Sequence, residues 1–276
     1  MAITTRRREG VTDVWRAWTG PAAATAAQRL ALLAICLLAW EIGARLIDSQ
    51  ALPTVGPTAE AVLDIVPTEA FWSAVRSTLT SWAVGLAIAI AVAVPLGLVL
   101  GSNATAMRLS RGLVEFMRTV PTIMLVPLAV LMLGSTVKMK VVLILLAVVW
   151  PLLLHATYGI RDVDLVARES VGAFQVPWRL RVTNLYLPSA APVIATGLRV
   201  AATIGLLISI GTEIITSAAG IGYEISLAQA NGNAPKSIVY LLTAGVLGIL
   251  ISKGFTLLER RTLHWHASQR VTGGAA

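Results

Sequence analysis

The feature that most constrains this chain is the recurrence of uninterrupted apolar runs, each of roughly 18 residues or more and so long enough to cross a hydrocarbon core about 30 Å thick as a helix. Such a core offers no water to unpaired backbone groups, so a spanning segment must satisfy its own N–H and C=O groups. Only 13% of the residues are charged, whereas soluble domains carry about a quarter. The chain is therefore expected to be an all-α integral membrane protein. Cys36 is the single cysteine, which rules out an intrachain disulfide and a cysteine-based metal cage; within an apolar run it reads as an inert core thiol.

Taken in order, residues 1–28 form a polar, basic tail with Trp15 and Trp18 among the arginines, as at a membrane interface. The first span is expected over 30–47. It exceeds a signal-peptide apolar region and no small-residue cleavage site follows it. Glu41 and Arg45 lie four apart near its end, where they can pair. A loop with Pro53 and Pro57 leads to a second span over 77–100. A basic connector through Arg108, Arg111 and Arg118 precedes a third span over 120–134, which Pro121 and Pro127 break. The fourth span covers 141–160, a polar insert 161–187, the fifth span 188–216 and the sixth 237–258. The Gly-rich segment 219–223 separates the last two, and a basic tail begins at 260. The spanning domain is thus 29–259, with tails 1–28 and 260–276.

Six spans put both termini on one side. Sixteen basic residues fall on that face: Arg6, Arg7, Arg8, Arg16 and Arg29, the connector arginines, Arg161, Arg168, Arg179 and Arg181, and Lys253, Arg260, Arg261 and Arg270. The other face has five: Arg45, Arg76, Lys138, Lys140 and Lys236. Because cytoplasmic loops carry the excess of lysine and arginine, the termini and the insert are expected in the cytoplasm of a multi-pass cell-membrane protein. The net charge of +8 reads as topology, and no nucleic-acid partner is expected.

The insert is the polar exception in an apolar chain. Asp162 and Asp164 suit a helix N-terminus, where carboxylates cap free N–H groups and oppose the positive dipole end. A short helix should run over 163–175, with Val163, Val166, Val171 and Phe174 giving it apolar surface. It should stop before Pro177, since a proline pushes the preceding residue out of α conformation. Leu187-Pro188 then opens the next helix, where proline is tolerated in the first turn. On these residues alone the insert reads either as a connecting loop or as a handle for a soluble partner.

The segment from Glu169 through Leu185 to Leu187-Pro188 resembles the cytoplasmic signature loop of ABC importer permeases: Glu-Ala-Ala, three residues, Gly, nine residues, Ile, one residue, Leu-Pro. Ser170 and Val171 stand where two alanines are usual, and Gln175 where glycine is usual; a left-handed turn there would cost a non-glycine residue roughly 1–2 kcal/mol. The resemblance covers about 50–265, and the stretch Thr212-Glu-Ile-Ile-Thr-Ser-Ala-Ala-Gly-Ile-Gly-Tyr223 is similar to the sulfonate, taurine and nitrate branch. It implies a type I importer permease with a coupling helix between the fourth and fifth spans. It also implies a second permease copy, two nucleotide-binding ATPase subunits that hold the ATP and magnesium, and an extracytoplasmic substrate-binding protein. The coupling residues would be Asp164, Arg168, Glu169, Ser170, Val171, Gly172, Gln175, Leu187 and Pro188.

On the fifth span Thr196, Arg199, Thr203, Ser209 and Glu213 fall within about 140° of one another at 100° per residue. Gly197, Ala201 and Gly205 fall opposite, a spacing that allows close helix packing in lipid. The polar side is a candidate translocation path. Arg199 reads either as a structural pair or as a path residue that attracts anions, and Glu213 as a cap on the Gly-Ile-Gly loop.

No phosphate-binding Gly-x-x-x-x-Gly-Lys motif occurs, so the chain does not resemble the ATPase itself. His155, His264 and His266 lack metal-ligand spacing, Trp150-Pro151 reads as core and kink, and no Ser/His/Asp set points to an enzyme. The expected activity is passage of a small anion such as a sulfonate, taurine or nitrate, with aromatic acids or vitamin precursors as the alternative within this class. A secondary transporter, which needs no ATPase, and an intramembrane enzyme, which needs paired carboxylates or a metal set at depth, are the competing classes.

Overall fold

The computed structural model describes residues 22–47 and 51–263; the tail arginines, Trp15, Trp18, His264, His266 and Arg270 lie outside them. Among the described residues the chain is helical without strands. Helix α1 (Ala22–Ile47) is followed by α2 (Val55–Ile65), α3 (Glu69–Ser102), α4 (Ala104–Thr119), a 3-10 turn (Thr122–Leu125) and α5 (Val126–Leu133). Then come α6 (Val137–Arg161), α7 (Leu165–Ala173), α8 (Trp178–Arg181), a π turn (Val182–Tyr186), α9 (Leu187–Thr216), α10 (Ile221–Ala230) and α11 (Ala234–Thr262). Five stretches among the described residues are long and apolar enough to cross a membrane, and α4 with the 3-10 turn and α5, bent by 76°, makes a sixth.

The core is a three-helix wedge with α6 in the middle. Met139, Leu143, Ile144, Val148, Leu152 and Ala156 of α6 are fully buried, between α3 and α9. Small residues let the backbones close up: a Cβ on Gly97 would lie 2.5 Å from the Ala156 methyl and 2.7 Å from the Leu153 carbonyl. Across α9, a Cβ on Gly197 would lie 2.5 Å from that of His155. Gly197, Ala201 and Gly205 are all buried, so the small-residue face of the fifth span is its packing face.

Contacts along the wedge fix directions. Gly85 meets Ile144 and Gly101 meets Ile160, so α3 and α6 run parallel, whereas Gly197 meets His155 and Gly205 meets Ile144, so α9 runs antiparallel to α6. A parallel pair obliges the chain between α3 and α6 to recross the membrane.

Several boundaries differ from the sequence reading: α3 begins at Glu69 rather than at 77, α10 fills part of the stretch between the last two spans, and three further changes have a local cause. The segment after α1 contains the helix α2, because Pro57 stands in its first turn, where no intrahelical N–H is needed. The basic connector is the helix α4, which Asn103 starts by accepting from the N–H groups of Thr105 and Ala106 at 2.9 and 3.1 Å. It ends at Val120, held extended (ψ 114°) by the proline that follows. The fifth span begins at Trp178 rather than at Pro188, since α8, the π turn and α9 join as one helical rod. In the π turn the Leu187 N–H reaches back to the Val182 carbonyl; the widened turn sits where Pro188 has no N–H to give.

Near its C-terminal end α1 is tied to the body: Trp40 Nε1 donates to the Pro53 carbonyl at 3.1 Å, and Glu41 accepts from the Val55 N–H at 2.9 Å and Arg45 Nε at 2.7 Å. From 28 to 39 the helix is exposed, including Leu33, Leu38 and Cys36, so the thiol does not lie in the core of this chain as its apolar run suggested.

The N-terminal ends of α3 and α6 and the C-terminal end of α9 meet in a buried polar network, on the side that the charge bias of the sequence would make the outer one. Lys140 Nζ donates to Glu213 Oε1 at 2.8 Å, to the Ala219 carbonyl at 2.8 Å and to Ser77 Oγ at 3.2 Å. Glu213 also accepts from Thr78 Oγ1 at 2.9 Å and from the Gly222 N–H at 3.0 Å. The side chains of Lys140 and Glu213 are 1% and 0% exposed. Gly220, at φ +155°, lies so close to the Glu213 carboxylate that a Cβ there would overlap it. Removing one partner of such a buried pair typically costs about 3–5 kcal/mol, because the other charge is left buried alone. Lys140→Met should therefore lower the thermal midpoint of the purified protein sharply, and Lys140→Met with Glu213→Gln should recover most of the loss. Equal midpoints for the single and double variants would contradict this.

Candidate functional site

The polar insert projects from the wedge as a short, open helix. Asp164 caps α7, accepting from the Ala167 N–H at 2.8 Å. Asp162 instead ends α6, its own N–H donating to the Tyr158 carbonyl. Val163 is buried with Ile160, Tyr186 and Ala190 and pins the start of the insert to the wedge. Beyond it Leu165, Val166 and Phe174 are 67%, 69% and 82% exposed. Glu169 and Gly172 are exposed with them, while Arg168, Ser170 and Val171 are half-buried. The Ser170 hydroxyl is spent on the Val166 carbonyl.

The end of α7 answers the question set by Gln175. It adopts φ +50°, the left-handed turn that favours glycine. The Val176 N–H donates to the Val171 carbonyl and the Gln175 N–H to the Gly172 carbonyl, each at 3.1 Å. This pair of bonds is the Schellman end of a helix, with Val176 placed to meet Val171. Arg181 Nε closes on the Val176 carbonyl, and the Trp178 and Tyr186 rings lie 5.7 Å apart. Leu187 is exposed, and Pro188 stands half-buried in the rod just after the π turn. The open helix is thus tied to the rod by a fixed turn.

The polar positions of α9 divide into three environments. Thr196 and Thr203 are exposed, and Val200 and Leu207 complete an open stripe; both threonine hydroxyls donate to carbonyls one turn back, those of Pro192 and Arg199. Arg199 sits half-buried at the edge of the stripe, bonded to Glu259 at 2.9 Å in the last turn of α11. Ser209 and Glu213 are fully buried in the outer network, where Glu213 takes the Gly222 N–H of the Gly-Ile-Gly loop. Sequence reading missed Lys140, Thr78 and Glu259 as partners. The available signal was a carboxylate, Glu213, deep in an apolar run: it requires a cation, and Lys140 borders the adjacent span.

If the left-handed turn carries a side-chain cost, Gln175→Gly should slow amide exchange at Val176 roughly fivefold, equivalent to about 1 kcal/mol. Gln175→Val, β-branched in the same turn, should accelerate it. Exchange unaffected by either change would contradict the assignment of strain.

Comparison with known proteins agrees with this geometry. A family model described as binding-protein-dependent transport system inner membrane component matches residues 93–264. The taurine transport system permease protein TauC of Escherichia coli (strain K12) is 27% identical over 261 residues, covering 90% of this chain and 93% of that protein. The putative aliphatic sulfonates transport permease protein SsuC of Bacillus subtilis (strain 168) is 26% identical over 242 residues, 87% of each. The nitrate import permease protein NrtB of Synechocystis sp. is 26% identical over 185 residues, 67% of each. Among solved structures, the inward facing MetNI methionine ABC transporter superposes with a TM-score of 0.61 at 17% identity, over 75% of this chain and 99% of that one. The all-α fold and the permease resemblance read from the residues both stand. The chain belongs to the family of binding-protein-dependent transport system inner membrane components, the permeases of ABC importers.

Proposed function

We propose that this permease forms the path for a small anion, a sulfonate, taurine or nitrate, and works as a homodimer in the cell membrane with both termini in the cytoplasm. Two ATPase subunits, which bind the ATP and magnesium, grip α7 on each copy, and an extracytoplasmic binding protein delivers the solute. The observation that carries this reading is α7 itself: an exposed helix with unpartnered Leu165, Val166 and Phe174 around Glu169, held by a Schellman turn to the rod that runs into the membrane. A surface helix that only connected two spans would have no need of such a fixed attachment.

In this reading Asp164 and Gln175 set the two ends of the gripped helix, while Arg168, Glu169, Ser170, Val171 and Gly172 form its body. Leu187 and Pro188 mark where its motion enters α9. Thr196, Thr203 and the half-buried Arg199 face the path, and Ser209 and Glu213 hold its outer end in shape. Taurine, a sulfonate and nitrate share a compact delocalised negative charge, which a guanidinium recognises well. The names of the relatives support this substrate class.

Glu169→Arg, or deletion of one turn of α7, should reduce uptake of radiolabelled taurine or nitrate to background, and solute-stimulated ATP hydrolysis with it. The amount of protein inserted in the membrane should not change. Normal uptake and hydrolysis in these variants would overturn the assignment of α7.

A further inference from the structure

The helix α4 carries charged groups on a segment that leads into the membrane. Because α3 and α6 are parallel, the chain between them must climb the full bilayer. It does so in two pieces bent by 76°, and α4, at 16 residues, is only about 24 Å long at 1.5 Å per residue. Both pieces therefore run obliquely, and neither crosses alone. Val114 is buried in the same cluster as Ala89, Val148 and Leu152, all near mid-height on α3 and α6. Arg118, one turn further along, thus stands at membrane depth beside the Pro121 bend.

At 100° per residue the surface of α4 divides into three sectors. Ala106, Met107, Ser110, Val114 and Met117 are buried or half-buried and face the body of the protein. Leu109, Leu113 and Phe116, 82%, 60% and 62% exposed, form a stripe about 60° wide. Arg108, Arg111, Glu115 and Arg118, all exposed, occupy an arc of about 80° on the third side. Three sectors imply three environments. Lipid suits the leucine and phenylalanine stripe, but charged groups at this depth face an interior or water.

We propose that the charged sector of α4 lines an aqueous passage through the inner half of the membrane, with Arg111 and Arg118 as its anion-contacting groups. Glu115 Oε1 accepts from Arg118 at 2.7 Å, and about half of the Arg118 side chain stays exposed. Arg111 has no ion pair among the described residues, and Arg108 has only a 3.5 Å bond to the Thr105 hydroxyl. Three cations against one carboxylate leave the sector positive, and a low-dielectric wall strengthens the pull on anions. The sector's placement follows from geometry alone, while its role in carrying the transported solute rests on the anion-path reading above.

The test is thiol accessibility of the full chain in inside-out vesicles, on a Cys36→Ser background. Arg111→Cys, Glu115→Cys and Arg118→Cys should react with the membrane-impermeant anion methanethiosulfonate ethylsulfonate. Leu109→Cys, Leu113→Cys and Phe116→Cys should react at least roughly tenfold more slowly. At Glu115→Cys the anionic reagent should outpace its trimethylammonium counterpart, and Arg111→Gln added to that variant should reverse or abolish the preference. Equal labelling of both sectors, or none of the charged one, would overturn the aqueous passage. Labelling without anion preference would overturn the role of Arg111 and Arg118. Should one arginine variant fail to insert, Glu115→Cys reads the same sector. Loss of taurine or nitrate uptake would bear on the proposed solute and would leave this labelling pattern unchanged, so the two readings fail separately.

Discussion

The buried pair of Lys140 and Glu213 is the constraint on which the outer half of the molecule depends. Two full charges with almost no exposure are tolerable only if every remaining donor and acceptor is met. The surrounding residues meet them. Ser77 and Thr78 come from α3, Lys140 from α6, Ser209 and Glu213 from α9, and the Ala219 carbonyl and Gly222 N–H from the loop before α10. Moving any one of these elements away from the others would expose or orphan a charge. Gly220 and Gly222 are glycines because a Cβ at either would strike Glu213. The consequence is a block of three helix ends and a loop that must move together.

From that block the glycine-lined contacts run inward. Gly97 and Gly101 bring α3 against α6, and Gly197 and Gly205 bring α9 against α6. In lipid there is little hydrophobic drive for one apolar helix to leave solvent for another, so close packing of small residues carries the association. The rod from Trp178 to Thr216 joins the two ends of this body. Its outer end is locked by Glu213, and its inner end carries α7 through the turn at Gln175. The π turn at Val182–Tyr186 is the one irregular stretch of that rod, and π turns recur at functional sites. A pull on α7 therefore reaches the outer network through packed helices that move as one body.

Much of this was legible in the sequence, and the misses share a cause. Long apolar runs gave the six spans. The spacing from Glu169 to Pro188 located the exposed helix, and Gly197, Ala201 and Gly205 were read correctly as a packing face. Segment ends were harder. Pro57 reads as a breaker, although a first-turn proline is compatible with α2. Arg108, Arg111 and Arg118 read as a connector, because a helix with one charged sector, one lipid sector and one core sector averages to low hydropathy. Lys140 was counted with Lys138 as an outer turn, since sequence alone does not say that its side chain points inward to a carboxylate 73 positions away. Long-range pairing of charges is set by which helices are neighbours, and only the fold supplies that.

The central claim is that one protomer carries motion from α7 to the outer network as a single body. It is tested most directly by spin-label distances within one copy of the assembled transporter, between labels at Phe174 and Gln229, with and without bound ATP. The account predicts that this internal distance stays the same while the distance between the two copies' Phe174 positions changes. A shift of the internal distance as large as the shift between copies would contradict it.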